Sequence, residues 1–275
     1  MRLVGGQELA VVALTDHDTT AGLAEAAAAL PTGLTLVPGA EISCGTVAAN
    51  GRDGRGPGAA AGRWVSLHLL AYLFDPAEPA FAAARAGVRA VRLGRAERMV
   101  ELLRGDGHPV EWERVRGFAD GVVGRPHVAE ALVEVGLVPT VGHAFTPDWI
   151  GTRGRYWVGK DEPDVLEAIR LVRGAGGVAV LAHPYASKRG DVVGAEAIRA
   201  MAAAGLAGVE VDHPDHDQGQ RTRLRALATE LDLVVTGSSD FHGPSKPQGL
   251  GAETTAPAAY EALVARASGA APLRG

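Results

Sequence analysis

The sequence predicts an α/β protein built as a barrel of (β/α) units that carries a small helical insert. Three observations lead there. Short β-branched apolar runs alternate with alanine-rich helical stretches, the pattern of βα units around a parallel sheet. Several of those runs end directly in histidines and acids, as strand ends do at the mouth of such a barrel. The alternation then stops between about residues 77 and 160, where helical stretches such as "VRAVRLGRAERMVELLRG" and "PHVAEALVEVGL" follow with no convincing strand.

Taken in order, the apolar runs predict strands at Ala10 to Leu14, Leu34 to Val37, Val65 to Tyr72, Val178 to Leu181, Gly208 to Val211 and Leu233 to Thr236. Helices are predicted at Gly22 to Leu30, Pro163 to Gly174, Ala195 to Ala204 and Gln220 to Leu231. The barrel therefore takes residues 1–76 and 161–275, and the insert is one subdomain at 77–160. Residues 47–63, "VAANGRDGRGPGAAAGR", are rich in Gly and Ala without periodicity and are expected to form a flexible surface loop.

Composition narrows the class. A chain of 275 residues, 47% apolar with a formal net charge of -5, is long enough for a large core and has no general attraction for a nucleic-acid backbone. No stable DNA partner is implied, and any polyanionic ligand must be met by local charge. Cys44 is the single cysteine, which excludes an internal disulfide framework and suggests a reducing compartment. In "AEISC" it reads as a small buried residue rather than a nucleophile. No stretch approaches the roughly 18 apolar residues of a membrane span, and "MRLVGGQEL" lacks the regions of a signal peptide. A cytoplasmic location is expected.

The chemistry lies where strands end. "VVALTDHD", "GVAVLAHP" and "LVVTGSSDFH" each run from an apolar strand into His17, His183, and the pair Asp240 and His242. Burying such groups costs free energy unless something pairs with them, and a metal ion does. Asp240 and His242, two apart, would point to one side of an extended segment. In "LTLVPGAEISC", Glu41 follows a strand and a Pro-Gly turn, from which an acid could reach inward as a bridging ligand. His68, within the apolar "VSLHLLAYL", taken alone reads as a core histidine, but with the other ligand types arriving at strand ends the ligand reading is favoured.

Other histidines carry less. His127, beside Arg125 in "VGRPHVAEAL", sits at a helix start suited to an anion, and equally suited to plain capping. His108 and His143 read as surface residues, and "VDHPDHD" should send at least one of His213, Asp215 and His216 toward the mouth. Imidazole and carboxylate without thiolate favour Zn, Mn or Fe. Several such ions suit phosphoester hydrolysis, because they activate water and neutralise phosphate oxygens. No P-loop and no GxGxxG after a strand competes.

Together "LTDHDTTAG", "PGAEISC", "HLLAYLFD", "GRPHVAEALVEVG", "VLAHP", "VDHPDH" and "TGSSDFHG" resemble the PHP (polymerase and histidinol phosphatase) family, in order and over almost the whole chain. They are most similar to its stand-alone branch of phosphoesterases acting on nucleoside 3',5'-bisphosphates and on the 5' ends of short RNAs. The resemblance implies a distorted (β/α)7 TIM-like barrel holding two or three divalent ions (Mn, Fe or Zn). It implies His17, Glu41, His68, His183, Asp240 and His242 as metal ligands and Asp16 as a residue orienting a ligand histidine. Arg125 and His127 become catalytic and substrate-binding residues, with Lys160 and His216 as further phosphate contacts. The partner implied is a phosphorylated nucleotide or short RNA, with no membrane.

Family members open with a strand carrying an "HxH" pair followed by "SDGT", and nothing resembling it precedes "ELAVVALTDHD". The first barrel strand and three ligands are therefore expected to be absent from this sequence, through an upstream start or truncation. The competing expectation is a degenerate homologue that binds nucleotide phosphate or metal without catalysis. Phosphatase action on histidinol phosphate is the alternative enzyme, less favoured because "GRPH" resembles the nucleotide-directed branch.

Overall fold

The structure is a computed structural model that describes residues 9–48, 63–119, 121–187, 192–243 and 248–275. The Gly- and Ala-rich stretch expected as a surface loop lies, from 49 to 62, outside the described residues. In chain order the elements are β1 (Val11–Leu14), α1 (Leu23–Ala28), β2 (Thr35–Ala48), β3 (Arg63–Tyr72), α2 (Pro79–Gly105), α3 (Trp112–Gly117), α4 (Arg125–Glu134) and α5 (Val141–Ala144). They continue with α6 (Val165–Gly174), β4 (Val178–Leu181), α7 (Ala195–Ala204), β5 (Gly208–Asp212), α8 (Gln218–Glu230), β6 (Val234–Gly237), α9 (Pro257–Arg266) and β7 (Leu273–Arg274). Two compact units result: Met1–Ala82 with Pro163–Gly275, and Ala83–Glu162.

The first unit is an α/β layer structure around one seven-stranded sheet of order β1-β2-β3-β4-β5-β6, with β7 paired to β2. The sheet is mixed, which corrects the parallel expectation. β1 with β2, β4 with β5 and β5 with β6 run parallel, while β2 with β3 and β3 with β4 run antiparallel. The source of the difference is β2, which does not stop at Val37 but runs on through Pro38 and Gly39 to pair with β3 as far as Ala48 opposite Arg63. Gly39 allows it: a Cβ there would lie 2.7 Å from the carbonyl oxygen of Ala71. Glu41 thus lies inside a strand, not beyond a turn. Closure into a (β/α)7 barrel is not shown; among the described residues β1 and β6 form no ladder with each other.

Strand alternation assigns the faces. Ala40, Ile42 and Cys44 of β2 join Leu67 and Leu69 of β3, Leu181, and Ile169, Ile198, Met201 and Leu224 from α6, α7 and α8 in the main core. Leu70, Val178 and Val180 pack on the other face with Leu263 of α9. β4 is buried at all four positions, so it reads as an uninterrupted apolar run. Helix ends are defined locally: Asp164 caps α6 by accepting from the Leu166 N–H, Asp217 and Gln220 form a capping box at α8, and left-handed Gly205 (φ 102°) ends α7.

The second unit is helical, with Met99 and Leu103 of α2, Val128 and Leu132 of α4, Ile150 and Tyr156 in its core. The Tyr156 hydroxyl donates to Asp106 at 2.8 Å and lies 2.9 Å from Nε2 of His108, which packs beside Trp149. His108 is thereby part of the unit's packing rather than a bare surface group. No helix among the described residues is long and apolar enough to cross a membrane.

Candidate metal centre and active site

Glu41 is the hub of the first unit's polar cluster. It projects from the face of β2 opposite Ala40 and Ile42 and is 6% exposed. Its neighbour on β3 is Leu70, and Ser43 opposes His68, so His68 and Glu41 are diagonal partners on one face. His68 Nδ1 lies 2.6 Å from Glu41 Oε1, His183 Nε2 3.4 Å from the same oxygen, and His17 Nδ1 3.9 Å from Oε2. Burial alone would raise the Glu41 carboxyl, but His68 and His17 beside it hold it well below the usual carboxylate range. One ligand atom from each of His17, Glu41 and His68 lies within 4.8 Å of the others.

The turn carrying His17 is stitched to β2 on both sides. Glu41 N–H donates to the Asp16 carbonyl at 3.1 Å, and Asp18 N–H to the Glu41 carbonyl at 2.9 Å. Asp18, fully buried, accepts from Ser43 N–H on Oδ1 at 2.7 Å and from the Ser43 hydroxyl on Oδ2 at 2.9 Å. Partial burial raises the Asp16 carboxyl above its usual range, and His242 offsets part of that rise.

The rest of the ring comes from β4, β5 and β6. Imidazole centroids are 4.9 Å apart for His17 and His68, 5.4 Å for His68 and His183, 6.0 Å for His17 and His242, and 5.1 Å for His183 and His213. Asp240 lies 3.4 Å from His242 Nδ1 and 3.9 Å from His213 Nε2. It is not in extended backbone as the two-residue spacing suggested. Its φ is 47°, and the His242 ring lies 2.8 Å from the Asp240 carbonyl.

Three residues of the cluster or its margin, Asp18 (φ 58°), His183 (φ 30°) and Asp240 (φ 47°), occupy the left-handed region that non-glycine residues rarely enter. Each donates its own N–H to a fixed acceptor: the Glu41 carbonyl, Glu210 Oε2 at 2.9 Å, and Ser238 Oγ at 3.1 Å. Strain of this kind persists only where the surroundings over-determine it.

Sequence reasoning did not single out Ser43 or Glu210, marked Asp18 only as an acid at a strand end with no role of its own, and left His213 among three candidates. Glu210 is 2% exposed on β5, and burial pushes its carboxyl up to about 7. An acid inside "GVEVD" was the available signal. His213 is wholly buried, with Nδ1 accepting from Asp215 N–H. His216, expected at a phosphate, instead has Nδ1 2.9 Å from the Val211 carbonyl and Nε2 accepting from Tyr185 N–H at 3.2 Å. Both its ring nitrogens are committed to backbone.

The remaining expected residues lie in the second unit. At the start of α4, Gly124 N–H donates to His127 Nδ1 at 3.0 Å, so the neutral ring carries its proton on Nε2. Arg125 stacks its guanidinium over Phe145, 5.3 Å from the ring centre. Lys160 pairs with Glu162 at 2.8 Å, and Arg95 donates to the Val158 carbonyl at 2.7 Å. Burial lowers the pKa of Arg125, Lys160 and Arg95, the last to about 10, and Arg125 and Arg92 push Arg95 further down. Arg95, Arg125 and Lys160 around Glu162, with Arg92 beside the two arginines, make a concentration of positive charge suited to an anion.

The donor set fits divalent metal: buried imidazole nitrogens and a deprotonated carboxylate converge, with no thiolate among them. No family model matches the chain. It is 33% identical over 239 residues to a 5'-3' exoribonuclease of Haemophilus influenzae, covering 86% of this chain and 81% of that protein. It is 32% identical over 251 residues to a 3',5'-nucleoside bisphosphate phosphatase of Chromobacterium violaceum, covering 86% and 78%. Among solved structures it superposes, with a TM-score of 0.81 and 36% identity, on one described as a metal-dependent phosphoesterase of Bifidobacterium adolescentis, over 94% of this chain and 87% of the other.

Proposed function

Because the chain belongs to the PHP family of phosphoesterases, we propose that it is a metal-dependent phosphoric ester hydrolase that removes phosphate from nucleoside 3',5'-bisphosphates, degrades short RNAs from their 5' ends as a 5'-3' exoribonuclease, or does both. The observation that carries this reading is the convergence of three histidines on the buried Glu41 carboxylate, with Asp240 and His242 beside them. His17, Glu41, His68, His183, Asp240 and His242 would hold two or three ions of Mn, Fe or Zn. Bound there, such ions supply an activated water and neutralise charge on phosphoryl oxygens.

The chain's own residues do the rest. Glu41 stays ionised at neutral pH, because neighbouring histidines keep its carboxyl low despite burial. Asp18 and Ser43 fix the turn that aims His17. Phosphate recognition is assigned to Arg125, His127 and Lys160. Arg125 keeps guanidinium donors for charge-assisted bonds, and the Nε2 proton of His127 is presented by a ring that Gly124 orients. His216 is not assigned to the phosphate, because both its ring nitrogens pair with backbone groups.

The test follows phosphate release from adenosine 3',5'-bisphosphate and from histidinol phosphate, and mononucleotide release from a 5'-phosphorylated oligoribonucleotide, after metal removal and again after Mn addition. Metal-dependent turnover of either nucleotide substrate is expected. Metal bound without turnover would establish a binding protein instead, and a preference for histidinol phosphate would overturn the substrate class.

A further inference from the structure

We infer that Glu210 is a positioning residue: its buried carboxylate holds the backbone of the His183 turn in the left-handed conformation that aims the His183 ring at Glu41. The inference rests on the proposed role of His183 as a metal ligand, but its geometry stands without the ion. β4 pairs with β3 up to Leu181, and Ala182 N–H still donates to the His68 carbonyl at 3.0 Å. One residue later the chain turns. His183 adopts φ 30°, and its N–H goes to the opposite neighbour, β5, where Glu210 Oε2 receives it at 2.9 Å.

The strand register explains why β5 needs an acid here. Leu181 pairs with Val209, so the next residue on β5, Glu210, comes level with the end of β4, where no backbone partner continues the ladder. An apolar residue at 210 would leave the His183 N–H facing carbon. A carboxylate reaches it, and would otherwise be a costly group to bury at 2% exposure. The turn closes on itself through Ala186 N–H to the His183 carbonyl at 3.1 Å. Beyond it the same side of the sheet holds Tyr185 at both backbone groups, by His216 Nε2 on its N–H and by Gln220 Nε2 on its carbonyl at 2.7 Å. Of the three side chains that fasten this segment, Glu210, His216 and Gln220, Glu210 is the one bonded to the ligand residue itself, so it governs ring direction most directly.

The experiment uses the whole chain with Glu210→Leu, Glu210→Asp and Glu210→Gln. Leucine removes the acceptor, aspartate withdraws it by one methylene while keeping the carboxyl group, and glutamine keeps an oxygen in place. Hydrogen exchange of the peptide covering His183 to Tyr185 is followed in metal-free protein, and Mn affinity is measured by calorimetry. Protection of that peptide is expected to fall by about tenfold or more in the Leu and Asp variants and to persist with Gln, while peptides from β4 and β5 stay protected in all. Mn affinity should follow the same order, with a loss of about tenfold to a hundredfold for Leu and Asp. Unchanged exchange at His183 in the Leu and Asp variants would overturn the inference, as would equal loss in all three across the sheet, which marks a purely structural group. A wild-type chain that takes up no metal would defeat the proposed function while leaving the exchange result to decide the role of Glu210.

Discussion

Replacing Asp18 by alanine should destabilise the first unit by about 4 kcal/mol. The carboxylate is fully buried and accepts two hydrogen bonds from Ser43, whose side chain and main chain are themselves out of water at 3% exposure. Bonds to a charged acceptor contribute about 1.5–3 kcal/mol each, and as members of one pair they do not add fully, so roughly 3 kcal/mol is lost when both donors are stranded. Alanine must also adopt φ 58°, where Asp is better tolerated, which costs roughly 1 kcal/mol more. Asparagine, in contrast, keeps an oxygen for the Ser43 N–H, can donate to the hydroxyl, and suits left-handed backbone, so about 1 kcal/mol is expected. Urea unfolding followed by circular dichroism gives both values, and the melting temperature of the alanine variant should fall by roughly 8–16 °C at 2–4 °C per kcal/mol. An alanine variant within about 1 kcal/mol of wild type would refute the claim that Asp18 fastens the His17 turn to β2.

Three further outcomes are expected. Gly39→Ala puts a Cβ 2.7 Å from a fixed carbonyl on β3 and should cost about 1–3 kcal/mol, whereas the nearest atoms to a Cβ at Gly45 belong to the ring of the exposed Trp64, which can swing away, so the unfolding midpoint of Gly45→Ala should shift less. Arg125→Ala should lower kcat/KM about tenfold to a hundredfold, the value of a charge-assisted phosphate bond, with Mn affinity by calorimetry unchanged; parallel loss of metal would show the arginine to be structural. Burial holds the His127 ring below its usual pKa of 6.5, and its Nδ1 must be unprotonated to accept from Gly124. The unfolded chain then binds a proton first, so the contribution is complete above about pH 6.5 and is lost as the pH falls toward the lower folded value; His127→Gln should flatten the dependence of melting temperature on pH between about 7 and 5.

What the sequence disclosed depended on the range of the forces involved. Apolar runs ending in His17, His183 and Asp240 with His242 mark strand ends by local pattern, and the structure gathers those residues around Glu41. The extent of β2 was not legible, because Pro38-Gly39 reads as a turn while its extended state is set by β1 and β3 on either side. Glu210 was passed over since its partner is a backbone N–H 27 residues away, and backbone donors carry no letter in a sequence. His216 is the opposite case: the residue type suits phosphate, while two main-chain groups take up its nitrogens.

The left-handed stations at Asp18, His183 and Asp240 also set a timetable for folding. Asp18 and His183 are held by the distant Glu41 and Glu210, Asp240 by Ser238 two residues before it, and the cluster they serve joins His183 and Glu41, 142 positions apart. Closing loops of that length is entropically unfavourable until the strands that bracket them are already paired, so the sheet must stand before the pocket can exist. The hairpin of β2 and β3, which needs no strained residue within its register, can form early, and the turns at Asp18 and His183 can snap into place only against it and against β5. Refolding should therefore recover sheet content before it recovers metal affinity, and gentle denaturation should dissolve the pocket while the strands beneath it still hold.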